Sequence, residues 1–313
     1  MKQVAAFFRL IRWPNLFFIA LTQLLFHYCL LLPVFEKGDA QPVLDTVSLF
    51  VILAASVLIA AAGYIINDYF DINIDQINKP GKLLIPKFVT RRWAILWHSL
   101  LSFIGVVLSF YVGWRIHVWW IGPSNFLTVF LLFVYSTTFK KSFLSGNIII
   151  ALLTSWTIAL LGLASFYSLY YSTESLVATK SRLLRFTILY TAFAFIISLI
   201  REAVKDIEDI PGDVQFGCKT LPIVAGINAA KTYVLVWLVV LLGAIFIVQV
   251  YAAQLGWWLL VLYGIVFIIC PLLYVFYKFI RVKKNEEYHR ISLLTKLVMF
   301  TGILSLLFFK IYL

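Results

Sequence analysis

The chain has 313 residues, of which 63% are hydrophobic and 13% charged, with a mean hydropathy of +0.97 and a formal net charge of +12. Soluble domains carry roughly 25% charged residues, so the composition excludes a water-soluble fold and, with it, the basic soluble domain that nucleic-acid binding needs. Lipid admits only helices or a closed barrel as spanning forms, and long apolar runs without two-residue alternation favour helices. A span needs about 20 apolar residues. In chain order the sequence predicts nine: 15–35, 47–66, 93–113, 118–135, 146–170, 183–200, 232–254, 256–278 and 293–312. The nine or so residues before the first are too short and too rich in Phe for a cleaved signal. The expected architecture is therefore an all-α polytopic membrane protein, nine transmembrane helices in one bundle, with a central cavity opening to the cytoplasm and laterally to lipid.

The basic residues orient that bundle. With nine spans, 20 of the 26 Lys and Arg fall on the side of the N-terminus or at its span ends, and 6 on the other. Positive charge concentrates on the cytoplasmic face, so the N-terminus is expected in the cytoplasm, in a cell inner membrane, and the C-terminus outside. Of the 14 acidic residues, 10 share the basic side. Attraction to anionic membrane lipids accounts for the net charge.

Two acidic arrays stand out. Asn67-Asp68-Tyr69-Phe70-Asp71-Ile72-Asn73-Ile74-Asp75 follows the second span, and Asp206-Ile207-Glu208-Asp209-Ile210-Pro211-Gly212-Asp213 follows the sixth. Both read D-x-x-D-x-x-x-D at the same membrane depth. Each is followed by a basic residue and a proline, Lys82 then Pro86, and Lys219 then Pro222. The four-span offset suggests a diverged duplication, with halves of roughly 1–142 and 143–313 inside one domain.

On one helix, positions i, i+3 and i+7 share a face. Three carboxylates there repel one another at a low-dielectric edge unless cations neutralise them. Carboxylates are the hard ligands Mg²⁺ takes, one or two at a time, with phosphate oxygens and water completing its shell. The metal ligands expected are thus Asn67, Asp68, Asp71, Asp75, Asp206, Asp209 and Asp213, around one diphosphate. Lys82, Lys140, Lys141, Arg201, Lys205 and Lys219 are the basic residues near enough to take its remaining charge.

Competing readings fit less well. Asp71-x-Asn73-x-Asp75 begins like a calcium loop, but the required Gly is Gln76 and the closing Glu is Lys82. An ion path would place acids near the membrane midplane, where these spans have almost none. Cys29, Cys218 and Cys270 lack ligand spacing, as do the four histidines. A cation-coupled transporter remains the alternative outside enzymology.

These residues resemble the UbiA superfamily of intramembrane prenyltransferases. Asn67, Asp68, Asp71 and Asp75 match its N-D-x-x-D-x-x-x-D signature, while Asp209 and Asp213, extended by Asp206, match its second motif. Tyr135 through Lys140-Lys141 looks like the family's Tyr…Lys/Arg segment, whose basic residue meets diphosphate. Within the superfamily, Asn67–Pro80 and Lys205–Asp213 look most like the branch that makes digeranylgeranylglyceryl phosphate. Two positions depart from it: Lys82-Leu83 replaces an Arg-Pro, and Tyr64 stands where an Asn is common. They leave the metal chemistry intact and bear on the acceptor.

The resemblance implies Mg²⁺-dependent transfer of a polyprenyl group, geranylgeranyl in this branch, from its diphosphate to a lipophilic acceptor. Geranylgeranylglyceryl phosphate is the acceptor the branch suggests, and an aromatic acceptor of the quinone, tocopherol or chlorophyll type the alternative. The six aspartates would be catalytic through their metal, and Tyr135 would face the allylic cation. Arg12 and Asn15, opening the first span on the same side, would hold the acceptor's head group or anchor the interface. No protein partner is implied.

Overall fold

The computed structural model describes residues 2–78, 81, 84–85, 87–170, 176–282 and 284–313. Among them the secondary structure is helical throughout. A short amphipathic helix α1 (Lys2–Leu10) leads into α2 (Trp13–Lys37), followed by α3 (Thr46–Phe70) and the short α4 (Ile72–Asn78). Then come α5 (Arg91–Arg115), α6 (Ile121–Thr137), α7 (Ser145–Tyr170) and α8 (Val177–Glu208). The short α9 (Ile210–Gln215) and α10 (Leu221–Val224) precede α11 (Ile227–Gln254), α12 (Trp258–Arg281) and α13 (Asn285–Tyr312).

Eight of these are long and apolar enough to cross a bilayer, which makes the chain a multi-pass membrane protein. The ninth expected span is α6, whose 17 residues lie at the short limit of a crossing helix. The expected count of nine therefore rests on α6 alone. The expected spans stop at the first charges, whereas the helices run past them. Residues 183–200 become Val177–Glu208, because terminal turns keep their backbone bonds while long charged side chains reach the water.

Local chemistry sets the helix ends and bends. Asp45 caps α3, its carboxylate accepting from Ser48 N at 2.9 Å. Both α2 and α12 widen for one turn just before a proline, over Phe26–Leu31 ahead of Pro33 and Ile265–Ile269 ahead of Pro271. A proline ring presses on the carbonyl four residues back and gives it no N–H. For Pro271 that carbonyl belongs to Phe267, and Thr301 on α13 donates to it at 2.8 Å.

Close helix contact relies on small residues, since lipid supplies no hydrophobic drive between helices. A Cβ on Gly105 of α5 would lie 2.7 Å from Ile59 of α3, and one on Gly162 of α7 would lie 2.3 Å from Thr187 of α8. The two array-bearing helices are therefore each pressed against a glycine-bearing partner. Large apolar side chains such as Phe103, Phe246 and Ile247 face outward, as a lipid-facing surface requires.

Candidate active site

Each array straddles a helix break. The helix α3 ends at Asp71 (φ −87°, ψ −3°) and α8 ends at Asp209 (φ −88°, ψ 1°), and a short helix follows in both cases. The expectation of three carboxylates on one unbroken helix is thus corrected, because the second member of each triplet is the junction itself. Backbone bonds from Asp75 N to Asp71 O (2.8 Å) and from Asp213 N to Asp209 O (3.1 Å) carry the helical sense across the break. The three side chains consequently keep one facing.

That facing is a shared cavity of about 920 Å³, whose lining includes all six aspartates and Asn67. Asn78, at the end of α4, joins the two halves. Its amide donates to Asp209 O at 3.0 Å and accepts from Gly212 N at 2.8 Å. A Cβ on Gly212 would come within 2.6 Å of that amide, so glycine is what lets the arrays close on each other.

Basic and amide side chains hold the carboxylates apart. Arg12 donates to Asp68 at 2.6 Å, and its guanidinium stacks over Tyr64 at 5.0 Å. Arg12 occupies the link between α1 and α2 in a left-handed conformation (φ 52°). Burial works against its charge, but Asp68 beside it prevails and holds it above its ordinary value. Asp71, only 3% exposed, accepts from Asn67 at 2.7 Å and is paired with Lys140. Burial likewise disfavours the Lys140 ammonium, and Asp71 again overrides it, raising its pKa. Asn147 on α7 donates to Asp206 at 2.8 Å.

Arg12, Asn15, Tyr135, Lys140, Lys141 and Lys205 all line the cavity as well. Lys205 is bound to both oxygens of Glu202, at 2.7 and 2.9 Å. Lys219 is exposed and absent from the lining; its backbone N–H donates to Lys141 O at 2.7 Å. Lys82 and Pro86 lie outside the described residues. The cavity also holds groups the sequence pattern does not single out: Glu202, Lys296, Asn147 and Asn78. Lys296 is a charge in an apolar stretch of its helix, and that alone marks it as a functional candidate; Glu202 sits in the charged end of α8, between Arg201 and Lys205.

Among the described residues, no three His, Cys, Asp or Glu side chains converge closely enough to cage a metal ion by themselves. Mg²⁺ needs no such cage, since it keeps water and takes one or two carboxylates with substrate phosphates. The donor set here is oxygen throughout. Asn67 Oδ1 is buried with no hydrogen-bond partner, an oxygen donor of the kind a hard cation takes. The residues fit Mg²⁺ held jointly with a diphosphate.

The fold and cavity define a polytopic helical membrane protein with paired acidic arrays around one polar chamber. The UbiA prenyltransferase family model matches residues 39–304, and the chain belongs to that family of prenyl-transferring enzymes. A curated relative, digeranylgeranylglyceryl phosphate synthase of Thermococcus kodakarensis, is 30% identical over 259 residues, spanning 79% of this chain and 80% of that one. A solved structure described as digeranylgeranylglyceryl phosphate synthase in membranes superposes with a TM-score of 0.64 at 20% identity, over 98% and 99% of the two chains. A UbiA homologue from Archaeoglobus fulgidus, bound to GPP and Mg²⁺, gives 0.55 at 15% identity over 96% and 99%. At those identities the structures speak to the fold.

Proposed function

We propose that the protein transfers a geranylgeranyl group from its diphosphate to the hydroxyl of geranylgeranylglyceryl phosphate, with Mg²⁺ as cofactor. The observation that carries this reading is the facing of the two arrays across one cavity, locked by Asn78. The activity for which its relatives are named, and the Mg²⁺ and GPP bound to a homologue, support it.

Bound there, Mg²⁺ supplies Lewis-acid neutralisation of the diphosphate's charge. Asn67 and the six aspartates orient that charge at the cytoplasmic end, while Lys140 and Lys141 bind phosphate oxygens directly. The Lys140 ammonium has three N–H donors, so it can meet a phosphate oxygen while one N–H stays on Asp71. The donor's C1–O bond breaks with its electron pair leaving on the diphosphate, and the acceptor oxygen bonds to C1. The hydroxyl proton passes to an aspartate of the arrays or to the departing diphosphate. The allylic charge that develops lies against Tyr135, whose ring face favours a cation.

The prenyl chain lies along the apolar part of the lining, where Ile59, Leu132, Leu153 and Trp156 exclude water. The arrays face the cytoplasm, with the N-terminus on the same side, in keeping with the skew of 20 of 26 basic residues to that end. Twin breaks at Asp71 and Asp209, with matching backbone angles, support two homologous halves.

The test is to incubate purified protein with labelled geranylgeranyl diphosphate, Mg²⁺ and a panel of acceptors. Prenylation of the glyceryl phosphate lipid is expected. Transfer only to a phenolic acceptor assigns the aromatic branch, and no diphosphate release with any acceptor returns the chain to the transporter class.

A further inference from the structure

A group of positive charges gathers in the cavity away from Lys140 and Lys141. Arg12, Arg201, Lys205 and Lys296 all line it. Their described ionic contacts reach only two carboxylates, Asp68 for Arg12 and Glu202 for both Arg201 and Lys205. Lys296 meets no acid: its ammonium donates to the neutral Asn15 Oδ1 at 2.6 Å and lies 5.1 Å from the ring centre of Phe18. The Nε of Arg201 is buried and has no hydrogen-bond partner. Arg12 and Arg201 are near enough for their charges to act on Lys296.

A charge inside a spanning helix is costly without a counter-ion, and like charges gathered around it raise that cost. The Lys296 ammonium meets only a neutral amide, and the Arg201 Nε–H meets no acceptor. A phosphate monoester carries about −1.5 to −2 near neutral pH and presents several acceptor oxygens, enough for the Arg201 Nε–H and the Lys296 ammonium together. Nothing in this group overlaps Lys140 and Lys141, which come from the segment after α6. The four cations come instead from the start of α2 (Arg12) and from cavity-facing turns of α8 (Arg201, Lys205) and α13 (Lys296), and α13 packs against both others.

We propose that Arg12, Arg201 and Lys296 form a second anion site in the cavity, which takes the phosphate monoester of the acceptor lipid. The inference rests on the function proposed above and adds to it the head-group chemistry that selects the acceptor. When Asp68 turns to a metal ion, Arg12 loses its partner and the site grows more positive. Donor loading thereby readies the acceptor site, and Asp68 is the shared element between the two.

The deciding variants are Lys296→Met, which removes the charge at similar volume, and Lys296→Arg, which keeps it. With geranylgeranyl diphosphate and Mg²⁺ fixed, Lys296→Met is expected to raise KM for the phosphate-bearing acceptor by about 10-fold or more, the range of a lost charged hydrogen bond. KM for the donor should move by less than about twofold, and Lys296→Arg should restore most of the acceptor affinity. Independently, glycerol phosphate without Mg²⁺ should raise the thermal stability of detergent-purified wild type and not of Lys296→Met. A donor KM that rises while the acceptor KM stays put would give these cations to the diphosphate and overturn the assignment. So would equal use, by wild type, of an acceptor lacking its phosphate. If no acceptor is prenylated at all, the transferase reading fails, while the glycerol phosphate arm still decides this one.

Discussion

Asn78 accepts a hydrogen bond from Gly212 N at 2.8 Å across 134 residues of sequence, and the same amide donates to Asp209 O at 3.0 Å. One side chain at the end of the first array thus fixes the backbone of the second. Replacing it by alanine strands a carbonyl and an N–H, at a cost of about 1–3 kcal/mol. Asn78→Ala should lower thermal stability in detergent by that order and raise the Mg²⁺ concentration for half-maximal turnover about 10–100-fold, the range seen when supports of metal ligands are lost. Gly212→Ala should do the same, since its methyl group would strike the Asn78 amide. Wild-type Mg²⁺ dependence in both variants would show that the brace is dispensable.

The two junction aspartates are expected to be indispensable in equal measure. Asp71→Ala and Asp209→Ala each remove a carboxylate from the point where helix and array part, so turnover should fall by at least about 10³-fold, the scale of several kcal/mol of lost charge stabilisation. Size-exclusion profile and helical circular dichroism should stay as in wild type. Appreciable activity in either variant would mean that its array does not serve the metal.

Lys140 is paired with Asp71, and its proposed task is to bind phosphate oxygens. Lys140→Ala should raise KM for the prenyl diphosphate by about 10-fold or more, in line with a charged hydrogen bond, with a smaller fall in kcat. An unaltered KM with a depressed kcat would move Lys140 from binding to chemistry.

On the opposite face, Asp45 offers a stability test away from the cavity. Its carboxyl accepts from Ser48 and from Arg115, and these bonds pull its pKa down to about 2 from an ordinary 3.8. A group depressed in the folded state stabilises the fold above its unfolded pKa and loses that contribution as pH falls through the folded value. Asp45→Ala should therefore cost about 1 kcal/mol near neutral pH, as the loss of a helix cap does. The gap from wild type should shrink below about pH 4 and be lost only below about pH 2. A gap that persists undiminished in strong acid would show that the carboxylate is not what stabilises this helix end.

How far the sequence discloses this site follows from the range of each interaction. The apolar runs and the acidic arrays are local patterns, and each expected span finds its helix, with α6 the short one. The break at Asp71 leaves no local mark, because Asp is compatible with both a helical turn and its end, whereas Pro211-Gly212 just after Asp209 marks the second break in the sequence. Asn78 is invisible in the sequence, since its partners lie 131 and 134 residues away. Lys219 looks equivalent to Lys82 by position, yet its side chain is turned to solvent once its backbone is tied to Lys141. Glu202 is legible by register, since it precedes Asp206 by one helical turn on the same face. Lys296 is a charge in an apolar run, itself a signal, but only the fold shows that Asn15, and no acid, is beside it.

The central claim is that two arrays from opposite halves of the chain hold one diphosphate through shared metal. The most direct measurement is the Mg²⁺-dependent affinity for a non-reactive geranylgeranyl thiolodiphosphate in wild type, Asp71→Asn, Asp209→Asn and the double variant. Shared binding makes the effects of coupled residues non-additive: each single change should weaken binding by about 10-fold or more, and the double change should add little to either. Affinity left intact by one of the single changes, or losses that simply multiply in the double variant, would contradict it.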